Sequence, residues 1–242
     1  MVARSRSGRA RPAVFVVDDV LPPRAFRALC AYAEHQPVSS VHAEGRDPSW
    51  AADDGDPQRG PCAFAEVTGG PSGLAFVRGS TLADALHQHP TGTAIDRVFR
   101  VIAQHARAMS ARVGLPGAAY RAVTARVYRY AHGTSLDWHV DSVEHYSGAF
   151  VLYAHEVWDR RWGGELLVVG RDRHAAGEHD GTFLEPRPNR LVVIGGGAPH
   201  RVTRVTAAAG DHVRTSIGGF FVRPEVLDPS PAREGAGRRK RA

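Results

Sequence analysis

Among thirteen histidines, one stands in a spacing that favours metal chemistry. His139 and Asp141 close the stretch from Arg126 to Asp141, two residues apart. On a β-strand, side chains two apart share a face, so an imidazole and a carboxylate would stand side by side. That pair is two thirds of a 2-His-1-carboxylate triad, the ligand set that holds non-haem Fe(II) and leaves coordination positions open. His200 is the candidate third ligand, at the start of an expected strand behind Gly195-Gly196-Gly197-Ala198-Pro199. Arg214 follows on the last long strand, with Ser216 on the same face. An arginine turned into a barrel core is costly unless an anion meets it. Its planar fork suits a carboxylate, and the Ser216 hydroxyl could add a hydrogen bond. A metal triad beside a carboxylate receptor calls for a cosubstrate with two carboxylate ends, one on the metal and one on the arginine.

The elements that must position these groups are short β-branched or aromatic runs: Ala122–Tyr130, Ser135–Val140, Gly148–Ala154, Glu165–Val169, Gly181–Leu184, Arg190–Ile194, His200–Thr206 and Val213–Val222. Turn residues such as Gly163-Gly164, Pro186, Pro188-Asn189 and Gly195–Gly197 divide them. With helices confined to the N-terminal side, the pattern predicts a mainly β fold, a double-stranded β-helix (jelly roll) over about 118–224 that closes on a central pocket. Ahead of it, Ala13–Val17 reads as a strand, and Pro22-Pro23 leads into a helix with Phe26, Leu29, Cys30 and Ala33 on one side. Ile95, Val98, Phe99, Ile102, Ala106, Met109 and Val113 mark an amphipathic helix over 93–113, stopped by Gly114 and Pro116. Residues 37–73 are rich in Pro, Gly, Asp and Ser, with Trp50 and Phe64 as isolated aromatics. That stretch is too long for a connector and reads as a mobile segment or a lid.

Strand alternation puts Asp137 on the ligand face near the rim and Trp138 on the opposite face, packed. Tyr130 and Tyr153 are strand aromatics for which packing is as good an account as ligand contact. Glu165 is the alternative, ion-pairing partner for Arg214. His132, His145, His155, His174, His179 and His212 fall in turns or outward positions and are assigned no catalytic role.

The bulk properties set the frame. A chain of 242 residues accommodates one large domain, placed at 13–227 between basic tails at 1–12 and 228–242. The net charge of +6 sits in those ends: residues 1–12 and 230–242 carry +4 each, which leaves the body at −2. Solvated tails account for this basicity, and nucleic acid is not an expected partner. Cys30 and Cys62 make neither a disulfide framework nor a zinc site, and they read as reduced thiols of a cytoplasmic protein. No run of about 18 apolar residues predicts a membrane span, and no secretory signal is expected. A monomer or weak homodimer acting on a small-molecule or peptide-like substrate is the expected state.

Taken together, these motifs resemble the prolyl-4-hydroxylase-like group of Fe(II)/2-oxoglutarate-dependent oxygenases. The resemblance covers roughly residues 126–224, with a fainter echo in Val16-Val17-Asp18-Asp19-Val20-Leu21-Pro22. It rests on Tyr130-Ala131-His132-Gly133 running to His139 and Asp141, on Tyr153, Trp158 and Gly163-Gly164-Glu165-Leu166, and on His200 with Arg214 and Ser216. Two departures stand out: Ala154-His155 replaces the usual Leu-Asn, and Leu136 stands where an aromatic is common. The resemblance implies that His139, Asp141 and His200 bind Fe(II). It also implies that Arg214, helped by Ser216, Tyr130 and Tyr153, binds the distal carboxylate of 2-oxoglutarate. With O2, such an enzyme hydroxylates an unactivated C–H of an amino acid, a peptide or a related small molecule, as in natural-product biosynthesis. A carboxylate at Asp141 implies hydroxylation rather than halogenation. The alternatives are a DNA-alkylation-repair-type dioxygenase and a non-catalytic jelly-roll binding module. The first expects an Arg-x-Asn-x-Thr-x-Arg run that Arg214-Thr215-Ser216-Ile217 lacks.

Overall fold

Alternation along Ala122–Tyr130 sends Val123, Ala125 and Val127 to one side of a strand and Tyr128 and Tyr130 to the other, and the molecule is built on both sides of it. The computed structural model describes residues 13–43, 55–67, 74–75, 86–170 and 181–227. The tails, Trp50, much of the 37–73 stretch, and His174 and His179 lie outside the described residues.

In chain order the strands are β1 (Val14–Val17), β2 (Ser39–Ser40), β3 (Gln58–Val67), β4 (Leu74–Ala75), β5 (Leu86–Gln88), β6 (Ala122–Tyr130), β7 (Leu136–His139), β8 (Tyr146–Tyr153), β9 (Leu166–Val168), β10 (Thr182–Leu184), β11 (Leu191–Gly195), β12 (His200–Val202) and β13 (Arg214–Val222). Two helices, α1 (Pro23–His35) and α2 (Asp96–Val113), precede β6, and one helical turn, Pro224–Leu227, follows β13. A nine-stranded sheet runs β1-β11-β8-β13-β6-β3-β2, with β4 and β5 added on β3, and a four-stranded sheet runs β10-β9-β12-β7. The strands are antiparallel except for the β3–β5 pair.

One face of the large sheet meets the helices. Val123, Ala125, Val127, Phe150, Leu152, Leu191, Val193, Ile217 and Phe221 pack with Leu29 and Ala33 of α1 and with Val98, Phe99, Ile102 and Met109 of α2. Each buried Val, Leu, Ile, Phe or Met among them contributes about 1.5–3 kcal/mol by leaving water, so this layer holds the scaffold. The opposite face meets the small sheet. Val14, Tyr130, Tyr153, Val192 and Ile194 pack with Leu136, Leu166, Val168, Leu184 and Val202. The helix ends follow local chemistry: Pro23 opens α1, and Gly114 closes α2 at φ 78°, its N–H on the Ser110 carbonyl. Asn189, at φ 60°, donates to the Leu21 carbonyl and accepts from the Leu21 N–H, fastening the β1–α1 turn to the sheet.

Two expectations are corrected. The 37–73 stretch contains a ten-residue strand, β3, paired along β6. Gly60 and Pro61 look like breakers in the sequence, yet they fall where the β3–β6 register shifts, a position that tolerates proline. The strand expected over Gly148–Ala154 begins two residues earlier, because β8 starts at Tyr146.

Candidate metal and carboxylate site

The small sheet brings the three sequence-predicted ligands together. β12 and β7 are neighbours, with His200 opposite His139 and their rings 4.1 Å apart between centroids. Asp141, just past β7, faces both: Nε2 of His139 is 4.0 Å from its Oδ1, and Nε2 of His200 is 3.7 Å from its Oδ2. The ligand atoms of all three residues lie within 4.8 Å of one another. The opposite edges of the imidazoles are tied to backbone. Nδ1 of His139 is 2.8 Å from the Asp137 carbonyl, and Nδ1 of His200 is 2.9 Å from the Ala198 carbonyl. A carbonyl accepts only, so each Nδ1 carries the hydrogen and each Nε2 turns a lone pair toward the carboxylate. Two lone pairs and an anion pointed at one spot repel each other, and a cation between them relieves that repulsion. The donor set, two imidazoles and one carboxylate, fits Fe(II). Burial pushes the pKa of His200 down, and the neighbouring His139 adds to that, so the ring is held in its neutral, metal-binding form.

A β-bulge produces this arrangement. His200 and Val202, two residues apart on β12, pair with His139 and Leu136, three apart on β7. The extra residue breaks strict alternation. Asp137 and Trp138 therefore both turn outward, which corrects the placement of Asp137 on the ligand face and of Trp138 in packing. Asp137 pairs with Arg201 at 3.6 Å, and Trp138, 44% exposed, lies under the same guanidinium.

Across the pocket, Arg214 is 1% exposed and among the largest fully buried side chains. Its Nε donates to the Gly164 carbonyl at 2.7 Å, and one Nη is 3.5 Å from the Tyr153 hydroxyl. The guanidinium lies 5.2 Å from the Tyr130 ring centre and 5.0 Å from that of Tyr153. Among the described residues no carboxylate pairs with it. Glu165, the alternative partner, instead accepts a hydrogen bond from the Thr203 hydroxyl. The Gly163-Gly164 pair explains itself here. Gly164 has φ 73°, and a Cβ there would sit 2.8 Å from the Arg214 stem, so only glycine lets the backbone reach the arginine. Ser216 is buried on the same face of β13, opposite Tyr128 on β6 and Tyr153 on β8.

His155, expected in an outward position, is instead buried behind this pocket, 4.9 Å from the Trp158 ring centre. Its nitrogens face the carbonyls of Pro186 at 2.8 Å and Thr215 at 2.9 Å. Burial pushes its pKa from 6.5 down to about 4, against the pull of those carbonyls. The unfolded chain therefore takes up this proton first. The stabilisation is complete above pH 6.5 and is lost as pH falls toward 4, by about 3 kcal/mol. In urea unfolding, His155→Asn should flatten the stability–pH slope between those two values; an unchanged slope would refute the assignment. His132, His145 and His212 are exposed, as expected.

Sequence reasoning passed over Arg126 and Tyr128. Stepping back by two from Tyr130 would have found both on the pocket face of β6, with Tyr128 opposite Arg59 and Arg126 opposite Cys62. No helix among the described residues is long and apolar enough to cross a membrane.

Residues 125–222 match a family model described as the 2OG-Fe(II) oxygenase superfamily. Among solved structures, the chain is similar to a prolyl-4-hydroxylase from Pseudomonas putida, with 20% identity over 88% of this chain and 95% of that one and a TM-score of 0.58. It is also similar to a prolyl hydroxylase from Trichoplax adhaerens solved with a peptide fragment of the hypoxia inducible factor oxygen degradation domain (13% identity, 90% and 87% covered, TM-score 0.56). A third is HygX from Streptomyces hygroscopicus, solved with nickel and 2-oxoglutarate bound (14%, 93% and 91%, TM-score 0.51). At these identities the likeness speaks for the fold, a jelly roll. No curated protein matches the sequence.

Proposed function

We propose that the chain, an oxygenase by the match of its residues 125–222 to the 2OG-Fe(II) oxygenase superfamily model, hydroxylates an unactivated C–H of an amino acid, a peptide or a related small molecule. His139, Asp141 and His200 hold Fe(II), and Arg214 receives the distal carboxylate of 2-oxoglutarate, with the Tyr153 hydroxyl beside it. Bound Fe(II), with 2-oxoglutarate and O2, supplies the oxidising power: the cosubstrate leaves as succinate and CO2, and one oxygen atom is available to the substrate. The protein's own part is binding, orientation and exclusion of water. The Asp137 and Ala198 carbonyls fix both imidazoles with Nε2 toward the metal position. Tyr130 and Tyr153 flank the guanidinium and keep it dry, and a charge-assisted hydrogen bond is strengthened where water is absent.

The observation that carries this reading is the pairing of a converged His-Asp-His cluster with a buried arginine that has no carboxylate partner among the described residues. A binding module needs no such pair. The test is direct. Protein purified without oxygen, supplied with Fe(II) and 2-oxoglutarate and then exposed to O2, should release succinate above a metal-free control. No succinate under any substrate mixture would overturn the reading.

A further inference from the structure

The pocket face of the large sheet continues well beyond the carboxylate receptor. Residues paired directly across antiparallel strands share a face, so the registers can be followed step by step. Tyr130 faces Arg214; Tyr128 lies between Arg59 and Ser216; Arg126 lies between Cys62 and Gly218. Arg126 is thus four residues, about 14 Å, along β6 from Tyr130 on the same face. Gly218 shapes this end: a Cβ there would press on the Tyr128 ring at 2.9 and 3.0 Å, so the ring lies across the bare glycine. Tyr146 stacks on Phe220 at 4.2 Å and 18° and forms the next wall. The charge of Asp141 reaches the phenols of both Tyr128 and Tyr146, and the charge of Arg126 reaches the same two phenols. Arg126 therefore lies farther along the pocket face than Tyr128, at the end walled by Tyr146.

Arg126 does not look like a structural arginine. Several other arginines meet carboxylates, Arg190 on Asp18 at 2.6 and 3.0 Å, Arg161 on Asp159 at 2.8 Å and Arg121 on Glu66 at 2.7 Å, and others meet backbone carbonyls, as Arg112 does that of Val14 and Arg129 that of Ala33. Among the described residues Arg126 has the Cys62 thiol and the Tyr128 and Tyr146 phenols near it, and Arg59 adds a second positive charge that reaches Cys62 and Tyr128. Among the described residues neither arginine has a carboxylate within ion-pair distance. A half-buried guanidinium left this way is costly unless a ligand supplies the anion.

We propose that Arg126 is a specificity-determining residue: the substrate is a small molecule with an oxyanion, a carboxylate or a phosphate, that Arg126 grips while Tyr128 and Tyr146 wall its body. This rests on the oxygenase reading and deepens it. The guanidinium fork binds either oxyanion bidentately, and anchoring that end would set which carbon faces the metal.

The experiment uses the Fe(II)-loaded chain at saturating 2-oxoglutarate and follows both substrate-stimulated succinate release and the rise in melting temperature. The probes are matched pairs: free L-amino acids against their carboxamides, and sugar phosphates against the parent sugars. Oxyanion members should stimulate with a KM at least tenfold below that of their neutral partners, and the two arms tell carboxylate from phosphate. Arg126→Gln should bring that preference close to one, and Arg126→Lys should retain part of it. Equal response to neutral partners, no response to any oxyanion, or a loss in Arg126→Gln that falls on 2-oxoglutarate rather than on the acid would each overturn the proposal. The wild-type comparison needs no variant to fold. Succinate formed from 2-oxoglutarate and O2 without preference among the pairs would sink this inference and leave the oxygenase reading standing.

Discussion

Replacing Arg214 with methionine should raise the 2-oxoglutarate concentration for half-maximal succinate release by at least about a hundredfold, while the protein without cosubstrate stays as stable as before. The first effect follows from burial. Removing one partner of a buried, hydrogen-bonded charge pair costs about 3–5 kcal/mol, which is roughly two to four powers of ten in affinity. The second effect separates a receptor from a structural arginine. Arg214 is 1% exposed with no carboxylate partner among the described residues, so before 2-oxoglutarate arrives its charge is a liability, only partly offset by the Gly164 carbonyl and the faces of Tyr130 and Tyr153. Methionine fills similar space without that charge. It leaves one carbonyl unpaired, at about 1–3 kcal/mol, against a larger desolvation cost removed. Arg214→Lys keeps the charge but not the fork, and its affinity should fall between the two. Urea unfolding and succinate kinetics on the same preparations decide the matter. A variant that unfolds easily yet keeps its cosubstrate affinity would show that Arg214 serves the fold instead.

Much of this site could be read from the sequence because its chemistry is carried by residue types at fixed intervals. His139-Val140-Asp141 specifies two donors wherever that segment lies, and Arg214 and Ser216 share a face on any strand. The eight strands after Ala118 were visible for a similar reason, since β-branched runs between glycines and prolines have few other solutions. What stayed hidden depends on pairing. β3 carries Gly60 and Pro61, which read as breakers until the register shift against β6 absorbs them. The bulge at Asp137–Trp138 is a property of two strands, β7 and β12, and no single-strand rule places both residues outside. His155 shows the limit for burial: its imidazole is enclosed by the carbonyls of Pro186 and Thr215, residues 31 and 60 positions away. Arg126 lies between these cases, since period two from Tyr130 marks its face while only the registers with β3 and β13 reveal its neighbours.

The other large effect concerns the metal. Adding Mn(II), a redox-stable stand-in for Fe(II), should raise the melting temperature of the wild-type chain, and Asp141→Asn should abolish that rise together with succinate release. A ligand that binds only the folded form stabilises it by about 4 kcal/mol when present at a thousand times its Kd. Asp141 is the one anionic donor of the cluster and faces both imidazoles, 4.0 Å from Nε2 of His139 and 3.7 Å from Nε2 of His200. Losing an outer partner of a ligand already costs 10–100-fold in metal affinity, so losing the carboxylate itself should cost about a hundredfold or more. Asparagine keeps the shape and puts an amide in its place, so the folded chain persists and the loss is specific to the metal. His200→Ala should lose the same response by a different route, because it removes a buried ring that touches His139. Asp137→Ala is the informative control. The His139 nitrogen is held by the backbone carbonyl of Asp137, not by its carboxylate, so this exchange should leave the Mn(II) response intact. If Asp137→Ala abolished the response while Asp141→Asn retained it, the outward carboxylate would be the ligand and the bulge geometry would be wrong.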